Sequence, residues 1–262
     1  DFIRLLRLHQ WSKNILIFIP FVAAHQLFQF ESMALLLVAF IALGLCASST
    51  YMLNDIFDLD SDRSHPTKRN RPFASGDVPV IYSLLIFLLL PISVFVASLV
   101  GEGFVYILLL YTLITLTYSF YLKSVVILDC LVLATLYTIR IIAGAIVIDN
   151  NISFWLLSFS VLFFFSMSFL KRYAEILNSQ DNENDHIHGR GYLRSDSQLI
   201  LSLGMSSGLG SVIVMMLYLN SPEILELYRY TNVVWCTVPV LLFWISHIWF
   251  QTHRGNMNDD PV

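Results

Sequence analysis

Eight runs of apolar residues, each close to the length that crosses a lipid bilayer as an α-helix, constrain this 262-residue chain more than any other feature. A hydrocarbon core about 30 Å thick needs roughly 20 apolar residues of helix, with about 17 to 25 as the working range. Such runs cover residues 14–30, 33–53, 80–100, 104–122, 125–148, 152–170, 199–219 and 233–250. They are too long and too continuously apolar to be the alternating strands of a lipid-facing barrel. The fold class is therefore all-α, a polytopic transmembrane helical bundle with eight visible spans. Only 13% of the residues are charged and 56% are hydrophobic, whereas a soluble domain carries about 25% charged residues. That excess of apolar side chains cannot hide in one core of this size, so most helices must face lipid.

The joints set the topology. Gly101-Glu102-Gly103 and Asp149-Asn150-Asn151 are short enough to force antiparallel neighbours, while residues 54–79 and 171–198 form two long polar joints. Threading eight spans gathers Arg4, Arg7, Lys13, Arg63, Lys68, Arg69, Arg71, Lys123, Lys171, Arg172, Arg190, Arg194 and Arg254 on one side, thirteen of the 15 cations. Arg229 falls on the other side and Arg140 inside a span. By the positive-inside rule the cation-rich side is cytoplasmic. The net charge of −4 excludes a nucleic-acid binder, which needs a surplus of cations. Cys46, Cys130 and Cys236 lie singly in apolar runs and read as packing residues. The chain opens on Asp1 and not on Met, so we read it as part of something longer, and no cleavable signal peptide is visible.

The candidate chemistry sits in the first long joint, Asn54-Asp55-Ile56-Phe57-Asp58-Leu59-Asp60-Ser61-Asp62. If the second helix continues through it at about 100° per residue, Asp58, Asp62 and Asp55 fall about 40°, 80° and 100° from Asn54, and Asp60 about 240° away. Four oxygen-bearing side chains then share one face. Carboxylates this close repel one another until a divalent cation neutralises them. Hard oxygen ligands without clustered His or thiolate indicate Mg²⁺, which usually completes its shell with water and substrate phosphates. Downstream come His65, Lys68, Arg69 and Arg71, ahead of Pro72 and the Ser75-Gly76 turn. Metal-binding carboxylates beside a cation cluster suit a polyphosphate, bridged by metal on one side and held by Lys and Arg on the other. An acidic helix end with ordinary membrane-anchoring cations remains the plainer alternative at this point.

The run NDIFDLDSD followed by HPTKRNRPFASG resembles the first motif, N-D-x-x-D-x-x-x-D, of the UbiA family of intramembrane prenyltransferases. The resemblance extends to HQWSKN near the start and to the Tyr118–Lys123 stretch, and covers most of the chain. It implies one integral membrane UbiA-like domain over residues 1–262, with a cytoplasm-facing cavity where Mg²⁺ holds a diphosphate. Asn54, Asp55, Asp58 and Asp62 would be the metal ligands, and the three aspartates the catalytic residues. Lys13, Asn14, Lys68, Arg69, Arg71 and Lys123 would contact substrate, although snorkelling equally accounts for Lys13. Family members usually have nine transmembrane helices, so a ninth is expected beyond Val262.

Quinone-pathway members of the family carry a second Asp-rich motif after the sixth helix. This chain has Phe169-Leu170-Lys171-Arg172-Tyr173-Ala174-Glu175 there. Asp181 and Asp185 keep the D-x-x-x-D spacing but lie in a polar stretch without an apolar register, and read as a mobile loop. The KRYAE segment resembles the decaprenyl-phosphate phosphoribosyltransferase branch, whose donor carries a 5-phosphate besides its diphosphate. Lys171 and Arg172 would supply cations for it, with Tyr173 packing on or hydrogen-bonding the sugar and Glu175 accepting a ribose hydroxyl. The same two cations could also simply mark the membrane boundary. In the fifth span, Asp129 and Arg140 lie on one helix face roughly 16 Å apart, and charges there face a cavity or a partner. Arg140 would hold a lipid phosphate or pair with a buried acid, and Asp129 would orient Lys123; the residues leave these choices open.

These readings lead to Mg²⁺-dependent transfer of 5-phosphoribose from phosphoribosyl pyrophosphate to a polyprenyl phosphate, releasing diphosphate, for cell-envelope polysaccharide precursors. The alternatives are an aromatic polyprenyltransferase of the 4-hydroxybenzoate type and, from another class, a transporter using Asp129 and Arg140 as a charge relay. The expected setting is a bacterial inner membrane, multi-pass, with the active site facing the cytoplasm. The partners are the donor, the lipid acceptor and the bilayer, with no nucleic acid; a homo-oligomer is compatible with the chain.

Overall fold

The computed structural model describes residues 2–26, 28–64, 68–178, 191–222, 224 and 231–257. Among them seven long helices occur: α1 Phe30–Phe57, α2 Leu85–Ser98, α3 Glu102–Phe120, α4 Leu128–Val147, α5 Phe154–Asn178, α6 Ser197–Leu219 and α7 Thr237–His253. The 3₁₀ turns Val80–Leu84 and Arg194–Asp196 lead into α2 and α6. With those turns included, α1 to α6 are the 6 helices among the described residues that are long and apolar enough to cross a membrane. An all-α membrane fold is thus observed, while the described residues do not establish a count of eight spans. The expected span 14–30 is broken into a 3₁₀ segment, Leu8–Phe18, and a short helix, Ile19–Ala23. Pro20 lies in the first turn of that short helix, where its missing N–H and fixed φ start a helix rather than continue one. The expected span 233–250 becomes α7, 17 residues long, with the short helix Thr231–Val234 before it.

The chain divides into two compact units. The first comprises residues 1–119 and 139–151, the second residues 120–138 and 152–262, so α4 contributes to both. In the first unit the buried face of α1 is lined with small residues, Ala39, Ala42, Gly44, Ala47, Ser48 and Ser49. Neighbours therefore approach the backbone closely: Ser93 Oγ on α2 donates to the Ala42 carbonyl at 2.8 Å, and Trp11 Nε1 donates to Ser48 Oγ at 3.0 Å. Gly144 on α4 is required for the same reason. A Cβ there would lie 1.9 Å from the Ile17 carbonyl oxygen. A small cluster of Leu5, Met52, Phe73 and Val78, flanked by Ile56, Leu59 and Leu85, seals the lower end of α1.

In the second unit α5 packs along α6 and α7. Ser166 Oγ donates to the Gly204 carbonyl at 2.6 Å and accepts from Trp249 Nε1 at 3.2 Å, binding the three helices at one point. A Cβ at Gly208 would lie 2.8 Å from Ser166 Oγ, so the Gly-x-x-x-Gly spacing on α6 is what lets these backbones meet. The apolar cluster around them includes Phe169, Leu170, Tyr192, Val212, Ile245 and Trp249. Large side chains such as Phe87, Phe95, Tyr106, Phe154 and Phe243 stay exposed, as lipid-facing positions of spanning helices do.

Candidate functional site

The acidic run begins as helix. It leaves α1 at Phe57, where Asp58 (φ −90°, ψ 7°) takes the terminal position and its N–H reaches the Asn54 carbonyl at 2.9 Å. A second short helix, Leu59–Ser64, starts at once, and the Asp62 N–H bonds the Asp58 carbonyl at 2.7 Å. The sequence reading carried one helix through the whole run; the structure interrupts it at Asp58. Asp55 and Asp62 still turn the same way and both are buried, whereas Asp60 is exposed and ion-pairs with Arg63 at 3.9 Å. Half-buried Asp58 accepts from Asn54 Nδ2 at 3.0 Å.

Two arginines hold the buried carboxylates. Arg7 Nη2 donates to Asp55 Oδ1 at 2.6 Å and Oδ2 at 2.8 Å. Arg71 Nη1 bridges Asp55 Oδ1 at 3.1 Å and Asp62 Oδ2 at 2.6 Å. Local structure explains both placements. Arg71 stands in extended backbone just before the helix Pro72–Ser75, and that turn is pinned to α1 by Phe73 against Met52 and Leu5. Arg7 ends the helix Phe2–Leu6 in the left-handed region at φ 49°, and its guanidinium also lies over the Tyr51 ring, 5.3 Å from the centroid. Arg69 is exposed in the 3₁₀ turn Lys68–Asn70. His65 and the Lys68 side chain lie outside the described residues.

Asn54, Asp55, Asp58 and Asp62 fit a hard divalent cation in the chemistry of their donors, all carboxylate or amide oxygens. At Asp55 and Asp62 the facing positive charge is that of the Arg7 and Arg71 guanidinium groups. Among the described residues, no group of three or more His, Cys, Asp or Glu converges as a ready-made metal site.

Deeper in the same unit, Arg140 on α4 is buried. Its Nε donates to Asn14 Oδ1 at 2.9 Å and its Nη2 to the Tyr111 hydroxyl at 2.7 Å. The structure thus joins two residues singled out in the sequence, Asn14 and Arg140, and adds Tyr111. Lys13 is half-buried in the 3₁₀ segment, and Lys123 half-buried in the turn Leu122–Ser124.

The second unit has its own cluster. Arg172, fully buried, places Nε 3.0 Å from Asp129 Oδ2 and also pairs with Glu175. Asp129 therefore meets Arg172, a pairing that neither sequence alternative for the two residues named. Tyr192 donates to Asp129 Oδ1 at 2.6 Å and accepts the Ile127 N–H at 2.9 Å. Burial, then the neighbouring Cys130 and Asp129, push the Tyr192 phenol well up, so it stays a proton donor. It is needed there because Ile127 holds φ 70°, a conformation that is strained for a β-branched residue. Tyr173 is buried: its hydroxyl lies 2.8 Å from His253 Nδ1 and its ring packs near Trp249. Lys171 and Glu175 are half-exposed. Asp181 and Asp185 lie outside the described residues.

The sequence reading missed Arg7 as a site residue, along with Tyr111, Tyr192 and His253. Each meets its partner across 29 to 80 residues of chain. Local spacing carries no signal for such pairs.

A bundle of spanning helices with charged clusters at helix ends defines an integral membrane protein of the polytopic all-α class. The chain belongs to the UbiA prenyltransferase family, whose model matches residues 15–260. It is 39% identical over its whole length to the uncharacterized protein y4nM of Sinorhizobium fredii, of which it spans 51%. It is 31% identical to the nodulation protein NoeC of Azorhizobium caulinodans, over 98% of this chain and 83% of that one. Decaprenyl-phosphate phosphoribosyltransferase of Mycolicibacterium smegmatis is 36% identical over 183 residues, 66% of this chain and 56% of the relative. In fold, the chain matches a UbiA homolog from Archaeoglobus fulgidus solved with DMAPP and Mg²⁺, at TM-score 0.70, 18% identity and coverage of 100% of this chain and 88% of that one.

Proposed function

We propose that residues 1–262 form one intramembrane transferase domain that moves 5-phosphoribose from phosphoribosyl pyrophosphate to a polyprenyl phosphate. The observation that carries this reading is the 36% identity with the M. smegmatis decaprenyl-phosphate phosphoribosyltransferase. The interleaved carboxylates and guanidinium groups at the end of α1 support it, because they offer both halves of a metal-diphosphate grip.

In this reading the phosphate oxygen of the acceptor attacks the ribose C1 carbon as the C1–O bond to diphosphate breaks, and diphosphate leaves with the electron pair. Asn54, Asp55, Asp58 and Asp62 would hold Mg²⁺, which when bound would supply charge neutralisation for that leaving group. Arg71, Arg69 and Lys68 hold diphosphate oxygens from the chain's side. Lys123 and Lys13 add further cations. Asn14 and Arg140 hold the phosphate of the acceptor, for which Arg140 is already oriented by Tyr111. No general base is needed, since a phosphate monoester is ionised near neutral pH. In the second unit, half-exposed Lys171 and Glu175 are the substrate contacts, while Arg172 and Tyr173 hold their helix in place. The site faces the cytoplasm of a bacterial inner membrane, on the side where the cations gather.

The test is a product assay on the purified protein in detergent with Mg²⁺. One mixture contains labelled phosphoribosyl pyrophosphate and a polyprenyl phosphate, the other a prenyl diphosphate and 4-hydroxybenzoate. A labelled lipid from the first mixture alone is expected. Product from the second alone overturns the reading in favour of aromatic prenyl transfer.

A further inference from the structure

Asp55 is 3% exposed, yet both its oxygens are taken by guanidinium groups. A hard cation that binds this carboxylate competes with the arginines for its oxygens. Neither arginine is sealed in: their side chains are 18% and 25% exposed, so each has one side open while the other faces the acids. Arg7 is also held where an ordinary residue resists being held. A left-handed conformation is unfavourable for a non-glycine residue, and such strain persists only where the surroundings impose it. Here the surroundings are the two short bonds to Asp55 and the Tyr51 ring.

We propose that Arg7, together with Arg71, is a donor-binding residue that works by exchange. Without metal its guanidinium occupies the cation's place against Asp55. When a divalent cation takes the carboxylates, the freed guanidinium re-pairs with the oxygens of the donor's diphosphate. Every charge keeps a counter-charge through the swap: the three acid–arginine ion pairs are replaced by acid–metal and arginine–phosphate contacts. The exchange accounts for a cluster that is complete without metal although its acids have the donor chemistry of a metal site. It also gives the site an order of events, because metal alone must compete with the arginines whereas metal with diphosphate offers them new partners. This inference rests on the metal-diphosphate part of the proposed function and is independent of which group is transferred.

The exchange predicts effects of opposite sign. With the full chain in detergent, the affinity for Mn²⁺ alone is measured by electron paramagnetic resonance of the free ion. The affinity for inorganic pyrophosphate at saturating Mg²⁺ is measured by calorimetry. Arg7→Gln is expected to tighten Mn²⁺ binding about tenfold, because a competitor is gone, and to weaken pyrophosphate binding about tenfold, because a charge-assisted contact is gone. Arg71→Gln should shift both in the same directions. A merely structural arginine would weaken both or change neither, and either result overturns the proposal. Should Arg7→Gln fail to fold, Arg7→Lys keeps the charge but cannot span both Asp55 oxygens. It is expected to tighten Mn²⁺ binding by about threefold, and unchanged or weaker binding overturns the proposal. Opposite shifts in a protein that forms no phosphoribosyl lipid would uphold the exchange and sink the transfer reading; parallel shifts in a protein that does form it would do the reverse.

Discussion

At the scale of single residues, the acidic run separates carboxylates that face the cluster from one that does not. Asp58→Ala is expected to abolish turnover and Asp60→Ala to leave most of it, since Asp60 is exposed and pairs with Arg63. Equal losses in the product assay would count against the assignment of the four ligands. Lys171 and Arg172, adjacent in sequence, should behave differently. Lys171→Ala is expected to raise the KM for phosphoribosyl pyrophosphate with little change in melting temperature. Arg172→Met leaves a buried Asp129 uncompensated and is expected to cost about 3–5 kcal/mol of stability, read as an early thermal transition in detergent. The contrast also shows where residue-level reading stopped. Asp55 and Asp62 were legible because helical spacing brings them round to one side, where Arg71 meets both. Arg172 was recognised as a cation, but its burial against Asp129 depends on packing between α4 and α5 that no spacing encodes.

Helices of spanning length were the most legible elements, because hydrophobic length is a local property. Their breaks were less so. The run 14–30 is apolar enough to span, yet Pro20 and the close packing of the 3₁₀ segment on α1 and α4 give it another shape. Gly144 is the clearest element-scale test. A methyl group there collides with the Ile17 backbone, so Gly144→Ala is expected to cost about 1–3 kcal/mol and to loosen the Asn14–Arg140 contact. Gly210→Ala on α6, whose added carbon would meet only Leu162 at an ordinary 3.6 Å, is the matched control and should melt like the parent.

For the whole molecule, the cation asymmetry predicts sidedness. With Cys236, the exposed native cysteine, changed to Ser, an Asp77→Cys or Asn256→Cys variant should react with an impermeant maleimide only from the cytoplasmic face. Asn150→Cys should react only from the opposite face. Reaction of all three from one side would overturn the topology. The family was legible in the sequence because its first motif is contiguous. The substrate was less so, because the second polar joint carries its chemistry partly in buried pairs and partly in residues 179–190, where Asp181 and Asp185 fall.

The two guanidinium groups against Asp55 and Asp62 have a consequence for the life of the protein before it ever meets a substrate. A cluster of buried acids normally obliges a newly inserted chain to wait for its ion, and stripping the ion then unravels the site. Here the counter-charge at Asp55 and Asp62 is encoded in the polypeptide, so on the proposed function folding and turnover would draw on different sources of positive charge. A chelator should therefore silence turnover completely, leave the thermal transition within about 2 °C of its starting point, and be fully reversed by returning Mg²⁺.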